Sequence, residues 1–244
     1  MRDEASLRAE AAALGYRLVR QHKVTEPWAQ LALALTRQRI DAVLDVGANV
    51  GQFAGYLRRE GWTGPIVSFE PIPEAHAELV CKAAADPEWQ VAPRCALADR
   101  DGTAVLEVSA ESDMSSLLPQ APLLRSLSPS SAVTRRIEVP LARLDGVAAS
   151  TDPRWQRLFL KIDVQGGEDR VLAGAEGLWP RIAGVQVELS LIELYRGERP
   201  WRETLDGLMR RGFEPHLWLP GYFSRQLARQ LQVDVVLFRP DATR

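Results

Sequence analysis

Cysteine, histidine and lysine are all scarce in this 244-residue chain, which has two cysteines, three histidines and three lysines. Cys81 and Cys95 make neither a disulfide framework nor a zinc cluster, so a reducing, cytoplasmic setting is the expectation. Histidines and acids form no cluster at metal-ligand spacing, and no metal is expected. No apolar run approaches the roughly 18 residues of a membrane span, so integral membrane association is not expected. Met1-Arg2-Asp3-Glu4 sets acids where a secretory leader has an apolar stretch. Neither sign of charge is in excess: 30 basic against 32 acidic residues give a formal net charge of −2. That balance excludes the basic footprint of a general nucleic-acid binder. The G-x-G-x-x-G fingerprint of dinucleotide binding is absent. So is a Tyr-x-x-x-Lys pair, because Arg199 stands where the lysine would follow Tyr195.

What is present suffices for a sizeable core, since 46% of the residues are hydrophobic. Residues 1–40 read as a helical preface. Leu7, Leu14 and Leu18 recur near a 3.6-residue period over 6–20, and Pro27 suits the first turn of a second helix over 28–39. That second helix is apolar enough to need a cover, either its own domain or a second copy of the chain as a homodimer. From residue 42 the pattern alternates. Short apolar runs at 42–46, 66–69, 89–97, 158–164 and 183–189 are separated by helical stretches at 52–59, 73–85 and 168–175. Strands alternating with helices imply right-handed βαβ units and a parallel sheet. The run at 89–97 is weak, being broken by Pro93.

Residues 102–142 interrupt the rhythm. Two alternating runs, 103–108 and 136–141, predict an antiparallel hairpin, and a Ser/Pro-rich loop over 109–131 joins them. A loop that long is either a functional lid or a mobile connection. A helix is expected over 201–211, then strands over 215–219 and 232–239. The connection between these strands is too short for a crossover, which predicts an antiparallel pair.

The first candidate site is the turn Asp45-Val46-Gly47-Ala48-Asn49-Val50-Gly51 between the first strand and the first helix of the alternation. Ligands of open α/β sheets bind outside the carboxyl ends of the strands, and small residues there let a ligand approach the backbone. The second is Glu70, at the end of the second strand. An acid about 20 residues beyond a glycine turn is placed to hold ribose hydroxyls. Together they point to a ligand containing a nucleoside.

Joined with motifs farther along the chain, these elements resemble the FkbM-type family of S-adenosylmethionine-dependent methyltransferases. The turn is similar to the family's D-V-G-A-N-x-G, and Phe69-Glu70-Pro71 to its F-E-P. Ala96-Leu97 with Asp101-Gly102, the pair Ser115-Ser116, Leu144-Asp145 and Lys161-Ile162-Asp163-Val164-x-Gly166 come in the family's order, as does Val171-Leu172-x-Gly174. The resemblance covers about 43–238. It implies a class I methyltransferase (Rossmann-like) α/β fold: a seven-stranded, mostly parallel sheet with helices on both faces and an antiparallel last strand. It implies one domain over 41–244, carrying the inserted hairpin behind the helical segment 1–40. It places Asp45, Gly47, Asn49 and Gly51 around the methionine part of S-adenosylmethionine, Glu70 on the ribose and Asp99 toward the adenine. It also implies O-methyl transfer to a sugar or natural-product hydroxyl, with a small-molecule acceptor as partner.

Asp163 ends the strand where cofactor and acceptor should meet, and it is a candidate to accept the hydroxyl proton or to hold the cofactor's ammonium. The alternative is that it caps the following helix. The chain departs from the family at Gln165, where K-I-D-V-E-G has glutamate; Glu168 is a candidate to supply the missing charge. Glu188 ends the next strand on the same rim and is the third catalytic candidate. His22 and His76 read as surface residues, and His216 begins a strand on the opposite rim. Trp201, Trp218, Tyr222 and Phe223 are readable either as core or as an acceptor wall. Two other functions compete with methyl transfer: a cofactor-binding protein without catalysis, which Gln165 favours, and an NAD-dependent oxidoreductase, which the glycine spacing disfavours.

Overall fold

The run Ala42–Val46 is buried along its whole length, which only a strand covered on both faces tolerates. It is β1, the centre of the molecule. The computed structural model of the protein describes residues 13–14, 26–148 and 152–240. Residues 13–14 apart, the helix expected over 6–20 lies outside the described residues, as does His22.

In chain order, α1 (Pro27–Arg37) precedes β1. Then come α2 (Gln52–Arg59), β2 (Ile66–Phe69), α3 (Pro73–Ala83), β3 (Trp89–Val91) and β4 (Ala96–Ala98). The inserted part comprises β5 (Gly102–Ser109), α4 (Pro122–Leu127) and β6 (Val133–Arg143), followed by α5 (Leu144–Ala148). The alternation resumes with β7 (Leu158–Ile162), α6 (Glu168–Ala173), β8 (Ile182–Ser190), α7 (Trp201–Arg210) and β9 (Glu214–Pro220). The short strands β10 (Phe223–Ser224) and β11 (Arg229–Gln230) lead to β12 (Gln232–Phe238).

Seven strands form one sheet in the order β3-β2-β1-β7-β8-β12-β9. The pairs β3–β2, β2–β1, β1–β7 and β7–β8 are parallel, whereas β12 runs antiparallel to both β8 and β9. This is the class I methyltransferase arrangement the motifs imply. The strand order reverses between β1 and β7, and that switch point is where an open α/β sheet binds its ligand.

One face of the sheet packs Leu44, Leu160, Val185 and Val235 against Val171, Leu205 and Phe213. The other packs Val43, Phe159 and Phe238 against Phe53, Leu57, Leu31 and Leu35. Leu31 and Leu35 of α1 are fully buried, each stabilising the docked helix by about 1.5–3 kcal/mol. The apolar side of α1 is thus covered by its own domain.

Two local expectations are corrected. The single strand expected over 89–97 is two strands. β3 ends at Val91, and Pro93, which lacks an N–H, breaks the ladder. β4 then leaves the main sheet to pair in parallel with β6, which pairs antiparallel with β5 in a separate three-stranded sheet. The loop expected over 109–131 holds α4 and two 3₁₀ turns, Ser112–Met114 and Pro129–Ser131. Gln120 ties it together by donating to the Ser109 hydroxyl at 3.0 Å and to the Ser131 carbonyl.

Candidate active site

The turn after β1 exists because its backbone must pass where no side chain fits. Gly47 has φ +75°, and a Cβ there would stand 1.8 Å from the carbonyl oxygen of Asp163. The ends of β1 and β7 therefore touch through a glycine. Asn49 follows in the left-handed region at φ 48°, which a short amide side chain tolerates. Its N–H donates to Oε2 of Glu70 at 2.8 Å, and the N–H of Ile72 donates to Oε1 at 2.8 Å. Glu70 is held at both oxygens, and each keeps a second lone pair. Burial pushes the Glu70 carboxyl up to about 7, against the pull of these N–H groups and of Lys161.

A cavity of about 330 Å³ runs along the carboxyl ends of the strands, within the size range of small-molecule sites. Toward β2 and the inserted sheet its walls are Glu70, Ile72, Leu97, Leu106 and Leu117. Gly47, Asn49, Lys161, Asp163 and Gln165 line its middle, and Trp28, Phe53, Tyr56, Gln186 and Asp234 line it toward β12. Trp28 stacks on Tyr56 with ring centroids 4.6 Å apart and meets Phe53 edge-on at 5.9 Å. The preface helix α1 thus supplies part of the wall. So does the inserted segment, through Ser112, Asp113, Ser115 and Leu117. Ser112 donates its hydroxyl to Oδ1 of Asn49 at 2.9 Å.

Strand register sets a row of polar side chains across the sheet beneath this cavity. Asp45 is opposite Ser68 on one side and Lys161 on the other, and Lys161 is opposite Gln186. The Lys161 ammonium is 3.2 Å from Oδ1 of Asp45 and 3.7 Å from Oδ2 of Asp163, and it donates to the Gly47 carbonyl at 2.9 Å. Burial alone would lower the Lys161 ammonium, but Asp45 and Asp163 more than reverse this and hold it above its ordinary value. Gln186 donates to Asp234 at 3.1 Å, while its own Oε1 is buried without a partner among the described residues. That oxygen is an acceptor left unused on a residue of the cavity wall.

Gln165 joins three side chains of the site. Its backbone is left-handed at φ 60° and is pinned by the Ser116 hydroxyl, which donates to the Gln165 carbonyl at 2.6 Å. The side-chain Nε2 donates to Oδ1 of Asp163 at 2.8 Å and to Oε2 of Glu188 at 2.7 Å. The Tyr195 hydroxyl donates to Oε1 at 2.8 Å.

The sequence candidates separate accordingly. Gly47, Asn49, Glu70 and Asp163 come together on the cavity wall. Asp45 does not: it is fully buried, turned under the turn onto Lys161 and the Ser68 hydroxyl. Gly51 is the left-handed N-cap of α2, where a Cβ would meet the Trp89 ring at 2.6 Å, so its part is in the turn. Asp99 is not among the lining residues, and its carboxylate pairs with Arg100 outside. Glu168 is turned back on its own loop, accepting from the N–H groups of Val164 and Gly166, and burial raises its carboxyl to about 8. Glu188 reaches the site only through Gln165, with Gln232 donating to the same oxygen at 2.7 Å. His216 packs on Phe238, and Trp218 and Phe223 are about half exposed; none of the three lines the cavity. Sequence reasoning missed Trp28, Gln186 and Asp234, and it read Lys161 only as a motif letter. A signal existed for two of them: Lys161 is the one polar position in the fully buried β7, and Gln186 lies in the buried, mostly apolar first part of β8.

The family model of the FkbM methyltransferase domain matches residues 45–215. The 31-O-demethyl-FK506 methyltransferase FkbM of Streptomyces tacrolimicus is 31% identical over 178 residues, covering 65% of this chain and 68% of that protein. Methyltransferase sdnD of Sordaria araneosa is 29% identical over 214 residues, covering 77% and 81%. Among solved structures, the magnesium protoporphyrin IX methyltransferase of Synechocystis PCC 6803 is similar at 10% identity and a TM-score of 0.46, over 87% of this chain and 76% of that one. A TehB-like methyltransferase of Corynebacterium glutamicum is similar at 12% identity and a TM-score of 0.43, over 97% and 96%. The oxidoreductase expectation gives way to the family match. No described helix is long and apolar enough to cross a membrane. On its ordered motifs, its strand order and the matched domain, the chain belongs to the FkbM-type family of S-adenosylmethionine-dependent methyltransferases, with S-adenosylmethionine as cofactor.

Proposed function

We propose that the protein transfers the cofactor's methyl group to a hydroxyl oxygen of a small glycoside, a glycolipid sugar or another secondary metabolite. The observation that carries this reading is Asp163. It stands on the cavity wall at the switch point of the sheet, with Oδ1 fixed by Gln165 and Oδ2 beside Lys161. The relative that methylates O-31 of a natural product supports an oxygen acceptor and a secondary metabolite.

In this reading Glu70 accepts from the ribose hydroxyls, and Ile72, Leu97, Leu106 and Leu117 make the apolar slot for the adenine. The loop Gly47 to Asn49 and Asp163 hold the methionine part. The lone oxygen of Gln186 takes an N–H or O–H donor. When bound, the cofactor supplies an electrophilic methyl carbon on a sulfonium sulfur. Asp163 would take the proton that the acceptor hydroxyl loses as its oxygen receives the methyl group. A carboxylate is a weak base for an alcohol, so alignment of oxygen, carbon and sulfur carries more of the rate than proton abstraction. The wall of Trp28, Phe53 and Tyr56 is the acceptor side, which makes α1 part of one catalytic unit with residues 41–244.

The test is methyl transfer from isotopically labelled S-adenosylmethionine into a panel of glycosides, polyols and polyketide alcohols, with the methylated atom located by NMR. An O-methyl ether from wild type, lost at least tenfold in Asp163→Asn, is the expected result. Methyl on nitrogen, carbon or RNA overturns the oxygen reading.

A further inference from the structure

Two carboxylates, Asp163 and Glu188, converge on one amide nitrogen, that of Gln165. Where the family pattern has glutamate, this chain has the one isosteric side chain with two N–H donors. The reverse amide orientation would set a carbonyl against both carboxylates, so the network admits only this one. The other charged and titratable groups facing the pair are few. Lys161 lies 3.7 Å from Asp163 on β7. The carboxyls of Glu168 on α6, Asp234 on β12, Asp45 on β1 and Asp113 in the inserted segment also face the pair, and burial holds each above its ordinary value. Tyr195 donates to the amide oxygen, Gln232 donates to Glu188, and Glu198 follows beyond Tyr195. Acidic groups predominate, and no group of side chains that would hold a metal ion stands among the described residues.

We propose that Gln165 is the positioning residue of this site: its amide gives one N–H to Asp163 and one to Glu188, holding the two carboxyl groups side by side without a cation between them. Burial, with Asp163, Asp234 and Glu168 nearby, holds the Glu188 carboxyl well above its ordinary value. The bridge leaves Oδ2 of Asp163 as the open carboxylate oxygen beside the cofactor, so this inference rests on the reading of Asp163 given above. The amide turns one N–H to each carboxyl group, while Tyr195 donates to its oxygen and Ser116 pins the Gln165 backbone. A glutamate here would bring a third carboxylate into hydrogen-bond range of the other two. Like charges so close cannot all ionise, and one carboxyl would take up a proton near neutral pH.

The experiment uses the full chain as wild type, Gln165→Glu and Gln165→Met. Two quantities are followed from pH 6 to pH 9: the thermal midpoint without ligand, and the dissociation constant of S-adenosylhomocysteine. In both variants a carboxyl of this cluster is held further above its unfolded value than in wild type, so more stability is lost as pH rises through the folded value. The midpoint of Gln165→Glu should fall by roughly 5–10 °C more than that of wild type across this range. Gln165→Met, which removes the donors without adding charge, should fall in the same direction and guards against a glutamate variant that does not fold. The S-adenosylhomocysteine constant of the variants should acquire an ionisation that wild type lacks, which a merely structural role would not produce. Variant profiles parallel to wild type in both quantities overturn the bridge. If wild type itself fails to bind S-adenosylhomocysteine, the reading of the cavity fails, while the thermal profiles still decide the bridge.

Discussion

Glu70 must be ionised to accept two ribose hydroxyls, yet its burial raises the carboxyl to about 7. Cofactor affinity should therefore depend on pH in the neutral range. At pH 8 about nine-tenths of the free protein carries the carboxylate, and at pH 5 about one-hundredth does. Without compensation, the dissociation constant of S-adenosylhomocysteine should weaken roughly 90-fold from pH 8 to pH 5, which is about 2.7 kcal/mol at 1.36 kcal/mol per pKa unit. The stability of the free protein runs the other way. A carboxyl raised in the folded state binds more protons there than in the unfolded chain, so its contribution is present at low pH and is lost as pH rises toward 7. The ligand-induced rise in melting temperature should consequently be larger at pH 8 than at pH 5. Calorimetric titrations across this range measure the affinity. Repeating them at pH 6 in buffers of different ionisation enthalpy should show about 0.9 proton released per ligand bound. Glu70→Gln should bind more weakly and lose this pH dependence, although its amide meets one of the two backbone N–H donors with a donor of its own. A wild-type affinity that is flat between pH 5 and pH 8, with no proton release, would refute the assignment of Glu70.

Three further substitutions probe separate parts of the site. Lys161→Met removes the counter-charge of the fully buried Asp45 and should cost about 3–5 kcal/mol in urea unfolding; the double variant with Asp45→Asn should recover part of it. Gly47→Ala forces a side chain into a left-handed position against the Asp163 carbonyl, and both stability and S-adenosylhomocysteine affinity should drop, the latter at least tenfold. Gly174→Ala is its counterpart away from the cavity. A Cβ there would lie 2.0 Å from the Ala98 carbonyl oxygen, so the melting temperature should fall while the affinity of the folded protein stays within about twofold of wild type.

The sheet was legible because its strands are unambiguous. β1 and β7 are short runs, apolar almost throughout, each followed by small or polar turn residues, and β8 opens on a mostly apolar run. The antiparallel β9–β12 pair followed from a connection too short to cross over. The division of 89–97 was not legible: Pro93 announces a break, but the partner of β4 lies more than forty residues later on β6. At the site, Gly47, Asn49, Glu70 and Asp163 were legible because a strand end fixes where a side chain goes. Asp45 and Glu168 were misplaced for one reason. Each is an acid beside a true wall residue, but the pleat turns Asp45 under the sheet and Glu168 folds back onto its own loop. The bridging role of Gln165 depends on a left-handed backbone and on Tyr195, thirty residues away. No local pattern carries that information. Trp28 and Asp234 reach the cavity only through the docking of α1 and the insertion of β12 beside β8, both of them long-range events.

The most direct test is an experimental structure of the protein with S-adenosylhomocysteine. The ribose hydroxyls should lie on the two oxygens of Glu70, the adenine between Ile72 and Leu97, and the sulfur near Asp163, with the space against Trp28 and Tyr56 left for the acceptor. Adenosine bound against Trp28 and Asp234, or a ligand seated outside this cavity, would contradict the assignment.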